Sequence, residues 1–395
     1  MTDHNTQPPA VSLDEQSILA EALEKAGRSR FADESFREPM RVLLRSLDEE
    51  ANLNAAGRFT MRTRVVDLLV NRLRLEGYLE RHPEIRDERI GDPVVIVGLP
   101  RTGTTMLHRL LSCDPSVNSV AWWENRNPAP FPGGEFGDGD PRIAAAHEQV
   151  KQILEAVPEL AAIHPWDPEG PDEEILLLEH SFLSTTPGSM AHVPTYDRWM
   201  KEQDQTPAYE FLKLMLQFLQ WQKRQAGRAR ERWVLKTPHH LGFIEYVFQT
   251  FPGARIVQTH RDPIQTIASV SSMYYSLWRL AADDPDPLVV GRYCKEHYGS
   301  MLRHCMSVRD RTETDRFLDV DYRSFVRDPL AEVRRVYDWL GYPLSPELVD
   351  QMNWWIEENR RDKRAPHEYT LEKFGLTEEE IRRDFAEYRR RYIEH

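Results

Sequence analysis

Cysteine is scarce in this sequence, with three residues in 395, at positions 113, 294 and 305. So sparse and odd a set, without a C-x-x-C pair, argues against a disulfide framework and against a zinc site. The sequence has no run of about 18 apolar residues, so no transmembrane segment is expected. The opening stretch MTDHNTQPPAVSLDEQ lacks the charged-then-apolar pattern of a secretion signal. These absences predict a cytoplasmic protein with reduced thiols.

Positive charge is also in short supply. The chain has 51 Lys and Arg against 64 Asp and Glu, which gives a formal net charge of −13 at pH 7. A surface that binds nucleic acid needs a basic excess, so no nucleic-acid partner is expected. Any anion site must therefore be a local basic pocket in an acidic protein. A homo-oligomer is compatible with the sequence, which does not specify the number of subunits.

Hydrophobic spacing divides the chain into three regions. In residues 1–90 apolar residues recur at helical spacing, with Ser12 and Glu15 as a capping box, so an N-terminal helical region is predicted. In residues 91–345 short apolar runs alternate with helical stretches, which predicts an α/β domain with a central parallel sheet flanked by helices. Residues 346–395 are predicted to form a C-terminal helical segment. Strands are predicted at Val94–Val97, Trp233–Lys236, Arg255–Thr259 and Phe317–Val320. Helices between them are predicted at Leu241–Phe251, Pro263–Leu280 and Pro329–Leu340.

The stretch VVIVGLPRTGTTMLHRLL, residues 94–111, predicts a buried strand, a glycine loop and a helix. Gly98 and Gly103 have the spacing of a P-loop, in which backbone N–H groups at the helix start converge on an anion. Thr104 stands where nucleotide triphosphatases carry a lysine, and no clear Walker-B acid follows. The loop therefore lacks the groups that bind a magnesium-bound triphosphate, whereas it is well suited to bind a monophosphate.

Side chains of the same loop add to the expected phosphate site. Arg101 can reach over a bound anion, although a solvated loop arginine would have the same sequence. Hydroxyl groups at the helix start can reach the same oxygens. The residues predicted to bind phosphate here are Arg101, Thr102, Gly103, Thr104 and Thr105.

A second candidate anion site lies in RIVQTHRDPIQTIASVSSMYYS. Arg261 ends a predicted strand, Asp262-Pro263 begins a helix, and Ser269 lies about two turns inside it. A strand-end arginine and a helical serine can hold a second phosphate between them. The alternative is a surface arginine and a serine that only packs between helices.

Together the two sites resemble the sulfotransferase family that uses 3′-phosphoadenosine 5′-phosphosulfate, and most closely its tyrosylprotein and bacterial branch. The resemblance implies a P-loop-type fold in which the glycine loop holds the 5′-phosphosulfate, and Arg261 and Ser269 hold the 3′-phosphate. It implies that Tyr322 approaches the adenine, and that Arg364 of the C-terminal segment helps to complete the cofactor site. It implies no metal ion.

Catalytic candidates follow the third motif, RWVLKTPHHLGF. Lys236 and His239 lie beyond a predicted strand, at the sheet edge where open α/β folds bind ligands. The lysine suits a sulfonate oxygen, and a histidine suits removal of a hydroxyl proton. The resemblance places the base at His239, or at Glu124 by comparison with the tyrosylprotein branch. We favour His239 slightly, with Glu124 able to share or replace its role, and assign Lys236 and Arg101 to charge stabilisation.

The acceptor is predicted less closely. Plentiful tryptophan, with tyrosine and methionine, could line an apolar pocket for a lipid-like or aromatic alcohol, although such residues more often form core.

The Pro- and Gly-rich stretch Asn125–Pro141 is predicted to be a long loop, either a lid or a surface insert. The alternative functions are a P-loop nucleotide kinase and a catalytically inactive nucleotide-binding protein.

Overall fold

The central element of this computed structural model is a parallel sheet of five strands in the order β2-β3-β1-β4-β5. The strands are Val94–Gly98 (β1), Val117–Asn118 (β2), Arg232–Lys236 (β3), Arg255–His260 (β4) and Phe317–Asp321 (β5). The structure describes residues 11–134, 136–137, 139–156, 166–228, 230, 232–359 and 369–394. The predicted α/β fold with a central parallel sheet is confirmed, and each predicted strand is present.

The described helices flank this sheet on both faces. In chain order they are Glu15–Ala26 (α1), Arg37–Glu49 (α2), Ala55–Arg81 (α3), Thr104–Leu111 (α4), Trp122–Arg126 (α5), Pro141–Ala156 (α6), Ile175–Leu178 (α7), Thr186–Met190 (α8), Pro194–Glu202 (α9), Thr206–Gln225 (α10), Ile244–Thr250 (α11), Pro263–Ala281 (α12), Pro287–Arg309 (α13), Tyr322–Arg327 (α14), Pro329–Leu340 (α15), Pro346–Glu358 (α16), Glu378–Asp384 (α17) and Ala386–Tyr392 (α18). Among the described residues, no helix is long and apolar enough to cross a bilayer.

The strand β1 divides its side chains between two hydrophobic cores. Val95 and Val97 belong to the larger core, which the N-terminal helices α1 to α3 share. Val94 and Ile96 point to the other face and pack with residues of α4 and α15. This division follows from the two-residue period of a strand. A strand buried on both faces must be apolar throughout, which is why VVIV predicted β1 correctly.

Parallel pairing brings the ends of four strands to one edge of the sheet. Val95 pairs with Leu235 of β3 and with Ile256 of β4, and Val257 pairs with Leu318 of β5. The residues that follow each of these strands are therefore neighbours. They form the edge at which open α/β proteins bind ligands.

Aspartate followed by proline begins three of the long helices. Asp262, Asp286 and Asp328 each accept a backbone N–H bond from the first turn of the helix that follows, and a proline occupies the first helical position. Both features suit a helix start, because the carboxylate satisfies an orphan N–H and proline has none to lose.

Two local predictions were wrong. Ser12 and Glu15 do not form a capping box, because Asp14 caps α1 by accepting a hydrogen bond from the Ser17 N–H at 2.8 Å. The predicted helix Leu241–Phe251 begins earlier as a 3₁₀ helix, Pro238–Gly242, before α11. The proline at its first position and the cap at Thr237 account for this early start.

Candidate active site

The loop between β1 and α4 requires glycine at two positions. Gly103 has φ of 90°, and a Cβ there would lie 3.1 Å from the ring of Phe325. A Cβ on Gly98 would lie only 2.2 Å from the hydroxyl oxygen of Thr259, so the loop passes very close to β4. The first N–H groups of α4 have no partner within the helix, and this loop brings them to the sheet edge. They are suited to an anion.

The three threonines of the loop differ in burial and in what their side chains contact. The Thr102 hydroxyl donates to the carbonyl oxygen of Leu99 at 2.6 Å and lies 2.6 Å from the Thr259 hydroxyl, fully buried. It therefore braces the loop against β4. Thr104 and Thr105 occupy the first turn of α4, the first buried and the second half-buried.

Arg261 meets the glycine loop directly. Its Nη1 donates to the carbonyl oxygen of Arg101 at 2.8 Å, and its guanidinium lies 4.2 Å from the ring centre of Tyr322. Tyr322 also borders Gly103, since a Cβ there would lie 3.4 Å from the tyrosine ring. Ser269 is buried two turns into α12. The glycine loop, Arg261 and Tyr322 are thus in contact at one edge, and Ser269 lies on the helix that begins two residues after Arg261.

Lys236, the last residue of β3, forms an ion pair within the site. Its Nζ lies 2.5 Å from Oε1 of Glu173, a side chain that keeps 26% of its surface exposed. The backbone N–H of Lys236 donates to Glu174 at 2.8 Å. Glu174 also lies 2.8 Å from Nε2 of His240, whose Nδ1 is 2.7 Å from the Tyr209 hydroxyl. His240 is therefore structural, whereas Glu173 reaches the open side.

His239 is enclosed more deeply than the sequence indicates. His239 is 1% exposed. Its Nδ1 lies 3.1 Å from the Thr185 hydroxyl oxygen, and the centres of the His239 and Phe243 rings are 4.7 Å apart. Burial, and then the neighbouring His240 and His297, lower the pKa of His239 well below its usual value. The imidazole is therefore neutral. Within the described part of the chain its Nε2 has no hydrogen-bond partner.

Glu124 serves the protein's own structure. One carboxylate oxygen accepts a hydrogen bond from the Ala121 N–H at 2.9 Å, at the start of α5. The other pairs with Lys223 at 2.5 Å, and the side chain is 4% exposed. Both oxygens are thus occupied within the protein, so Glu124 is not poised to take a proton in this conformation.

The family of the chain follows from comparison with known proteins. Residues 93–346, well over half of the chain, match the profile of the sulfotransferase family. The chain belongs to the sulfotransferase family. This membership decides between the alternatives left open by the loop, since it makes the protein a transferase of sulfonate groups and not a nucleotide kinase. A P-loop fold without the triphosphatase lysine agrees with that chemistry.

Several mycobacterial proteins are similar to this sulfotransferase. The omega-hydroxy-beta-dihydromenaquinone-9 sulfotransferase Stf3 of Mycobacterium bovis and of Mycobacterium tuberculosis is 24% identical over 298 residues, which are 73% of this chain and 72% of that protein. The crystal structure of sulfotransferase STF9 from Mycobacterium avium has a TM-score of 0.87 and 28% identity over 98% of each chain. That of STF1 from Mycobacterium tuberculosis has a TM-score of 0.83 and 28% identity, covering 96% of this chain and all of that one.

The remaining predictions for this sulfotransferase concern the C-terminal segment, the tryptophans, one loop and a metal ion. Arg364 lies outside the described residues. Trp221 and Trp278 are core residues, at 5% and 3% exposure, and do not line an open pocket. The predicted loop Asn125–Pro141 is shorter than expected, because Asn125 belongs to α5 and Pro141 begins α6. No group of three or more potential metal ligands occurs among the residues with a described position.

Glu173 is not among the site residues predicted from the sequence. The acid lies in PDEE, a stretch without helical or strand periodicity, and 63 residues separate it from its partner Lys236. The backbone N–H of Asp172 donates to the carbonyl oxygen of Val120 at 2.8 Å, which holds this stretch beside the sheet edge. The signal that could have revealed it is the run of three adjacent acids after glycine and proline, since a lysine at a strand end needs an acidic partner when buried.

Proposed function

We propose that this sulfotransferase moves the sulfonate group of 3′-phosphoadenosine 5′-phosphosulfate to a hydroxyl group of a small lipid-like or aromatic alcohol. The observation that supports this donor is the contact between Arg261 and the glycine loop. A nucleotide with phosphates on both its 3′ and its 5′ oxygens needs two anion sites on one edge of the sheet. A donor with a single phosphate cluster would need only the loop.

Each part of the donor has residues that fit it. The N–H groups at the start of α4, with Thr104 and Thr105, suit the 5′-phosphosulfate. Arg261 and Ser269 suit the 3′-phosphate, and a guanidinium binds phosphate oxygens in pairs. The Tyr322 ring beside Gly103 offers a flat surface for the adenine. No step of this reaction requires a metal ion, because cations of the protein are at hand.

The Lys236–Glu173 pair is suited to the transfer itself. As the acceptor oxygen bonds to sulfur, Glu173 takes the hydroxyl proton, and the bond between sulfur and the bridging phosphate oxygen breaks. The electron pair stays on that phosphate oxygen, where Lys236, Arg101 and the loop N–H groups stabilise the growing negative charge. Glu173 is the better placed base because its side chain is 26% exposed, while His239, the second candidate, is only 1% exposed.

Support for the acceptor class comes from the curated relatives, whose name gives a hydroxylated menaquinone derivative as their acceptor.

The expected location is the cytoplasm, and the three cysteines, all free thiols, are in keeping with a reducing compartment. Whether copies of the chain associate stays a prediction.

The test is transfer of radiolabelled sulfonate from the proposed donor to a panel of long-chain alcohols, prenylated hydroquinols, simple phenols and sugars. We expect a labelled product with a lipid-like or phenolic member of the panel, and no requirement for Mg²⁺. Label transferred only to sugars would contradict the acceptor class. Phosphate transfer from ATP with Mg²⁺, in place of sulfonate transfer, would contradict the donor.

A further inference from the structure

The C-terminal helix α18 lies against the residue before Arg261. The Tyr388 hydroxyl is 2.9 Å from Nδ1 of His260, and the Tyr392 ring stacks on the His260 ring with centres 4.3 Å apart and planes within 9°. The other ring nitrogen of His260 lies 2.8 Å from Asp319. The imidazole is thus held at both nitrogens and on one face, although it is not itself placed to touch a nucleotide.

The same helix also holds the residue after Arg261. Arg389 donates from Nη2 and Nε to the two carboxylate oxygens of Asp262, at 3.0 and 3.2 Å, and is 8% exposed. Asp262 is also the N-cap of α12, since its side chain accepts from the Ile264 N–H at 3.1 Å. One carboxylate therefore joins α18 to the helix that carries Ser269.

A third contact lies at the adenine side of the site. Arg323, the neighbour of Tyr322, donates to the carbonyl oxygen of Ile393 at 3.4 Å, just beyond α18. The helix and its last residues therefore touch the chain beside both Arg261 and Tyr322. These bonds run to residues that flank Arg261 and Tyr322, so they hold the surroundings of the site in place.

We propose that Tyr388 and Arg389 are positioning residues for the nucleotide's 3′-phosphate, acting by fixing His260 and Asp262 on either side of Arg261. The inference rests on the proposed function, because it requires a nucleotide with a 3′-phosphate. Arg261 itself contacts Gln265 at 2.9 Å, the carbonyl oxygen of Arg101 and the ring of Tyr322, and its backbone lies between His260 and Asp262. A charged group that must meet phosphate in a paired geometry loses affinity when its backbone shifts by a fraction of an ångström.

The same helix offers a matched control. Arg391 pairs with Asp310 at 2.7 Å and with Glu387, so it too ties α18 to the protein through a carboxylate. Neither partner is next to a residue of the nucleotide site. Arg391→Gln therefore removes a comparable ion pair of α18 that involves neither Asp262 nor a ring nitrogen of His260.

The experiment compares two probes, adenosine 3′,5′-bisphosphate and adenosine 5′-monophosphate, which differ only by the 3′-phosphate. Calorimetry gives the ratio of the two dissociation constants for the wild type and for Arg389→Gln, Tyr388→Phe, Arg389→Lys and Arg391→Gln. Tyr388→Phe keeps the shape of the ring, so it tests the inference even if Arg389→Gln does not fold. Donor KM and kcat are measured on the same variants.

We expect Arg389→Gln and Tyr388→Phe to lower the preference for the bisphosphate about tenfold, or about 1.4 kcal/mol. Arg389→Lys should restore part of it, and Arg391→Gln should leave it unchanged. Donor KM should rise while kcat at saturating donor stays constant, which loss of general stability would not produce.

An unchanged preference in both variants, or equal losses with both probes and in Arg391→Gln, would overturn the inference while leaving the proposed function intact. A wild type that does not prefer the bisphosphate would overturn the proposed donor and this inference together.

Discussion

Arg261 donates a hydrogen bond of 2.8 Å to the carbonyl oxygen of Arg101, across 160 residues of sequence. Parallel pairing of β1 with β4 brings the two together, and the next strand, β5, places Tyr322 4.2 Å from the same guanidinium. Three adjacent strands thus each contribute one part of a nucleotide site. An arginine held against a phosphate loop, with an aromatic ring beside it, is suited to an adenosine that carries two separate phosphate groups.

The identity of the base can be tested by replacing the partner of Lys236. Glu173→Gln should lower kcat by about 10²–10⁴, because the amide cannot take the acceptor proton, while the affinity for adenosine 3′,5′-bisphosphate stays close to that of the wild type. The measurement is the initial rate of sulfonate transfer at saturating donor. Glu169→Gln, at an exposed acid four residues earlier in the chain, is the control and should keep full rate.

His239→Gln is the competing variant. It should retain more activity than Glu173→Gln, because His239 is enclosed and therefore less well placed to reach an acceptor hydroxyl. If His239→Gln abolishes turnover and Glu173→Gln does not, the proton goes to the histidine, and our choice of base is wrong.

The glycine loop should not tolerate a side chain at Gly103. Its φ of 90° is unfavourable for alanine, and the new Cβ would press on Phe325 and Tyr322. We expect Gly103→Ala to cost about 1–3 kcal/mol of stability and to abolish measurable bisphosphate binding. Gly227→Ala is the control for backbone strain alone, since Gly227 has φ of 71° and open space around it. Bisphosphate binding that survives Gly103→Ala would show that the loop does not form the phosphate site.

Glu124 should matter for stability and not for turnover. Glu124→Gln removes the charge that pairs with Lys223 and weakens the start of α5, so we expect a loss of about 1–3 kcal/mol in the free energy of unfolding. Urea denaturation measures this loss, and kcat per folded molecule should stay within about threefold of the wild type. A variant with unchanged stability and strongly reduced kcat would return the base role to Glu124.

Buried Asp197 should make stability depend on pH. Burial raises the pKa of Asp197 to about 6, against the lowering effects of Tyr293 and Lys201. The unfolded chain has the ordinary value near 3.9, so between about pH 4 and 6 the folded state holds the extra proton. Stability from this group is therefore complete below pH 4 and falls as the pH rises to about 6.

Asp197→Asn should remove that fall. We expect the variant to gain about 1–3 kcal/mol relative to the wild type between pH 4 and 7, measured by urea denaturation across this range. A difference between the two proteins that does not change with pH would contradict the assignment.

The sheet could be predicted closely because its strands carry their own signal. Buried parallel strands must be apolar on both faces, so VVIV predicts β1, and the observed strand extends it only to Gly98. The ends of those strands then predict where Arg261 and Tyr322 lie, since parallel strands share one edge. This part of the site needed only the fold and the spacing of its motifs.

The remaining partners could not be predicted, because they depend on segments without periodicity. Lys236 pairs with Glu173, which lies in an irregular stretch. Glu124 pairs with Lys223, which lies on α10 and is 99 residues away in sequence. A carboxylate has the same sequence signature whether it takes a proton, caps a helix or pairs with a lysine. For the same reason the burial of Thr102 could be seen only once the loop was folded against β4.

The proposed function depends most directly on a contact between Arg261 and the 3′-phosphate of the donor, and calorimetric titration with adenosine 3′,5′-bisphosphate tests that contact. Arg261→Ala should weaken binding about 10- to 100-fold, as expected for loss of a hydrogen bond between charged groups. Arg255→Ala removes the same charge at the other end of β4 and should bind like the wild type. Equal affinity of the wild type and Arg261→Ala for the bisphosphate would show that Arg261 does not bind the 3′-phosphate.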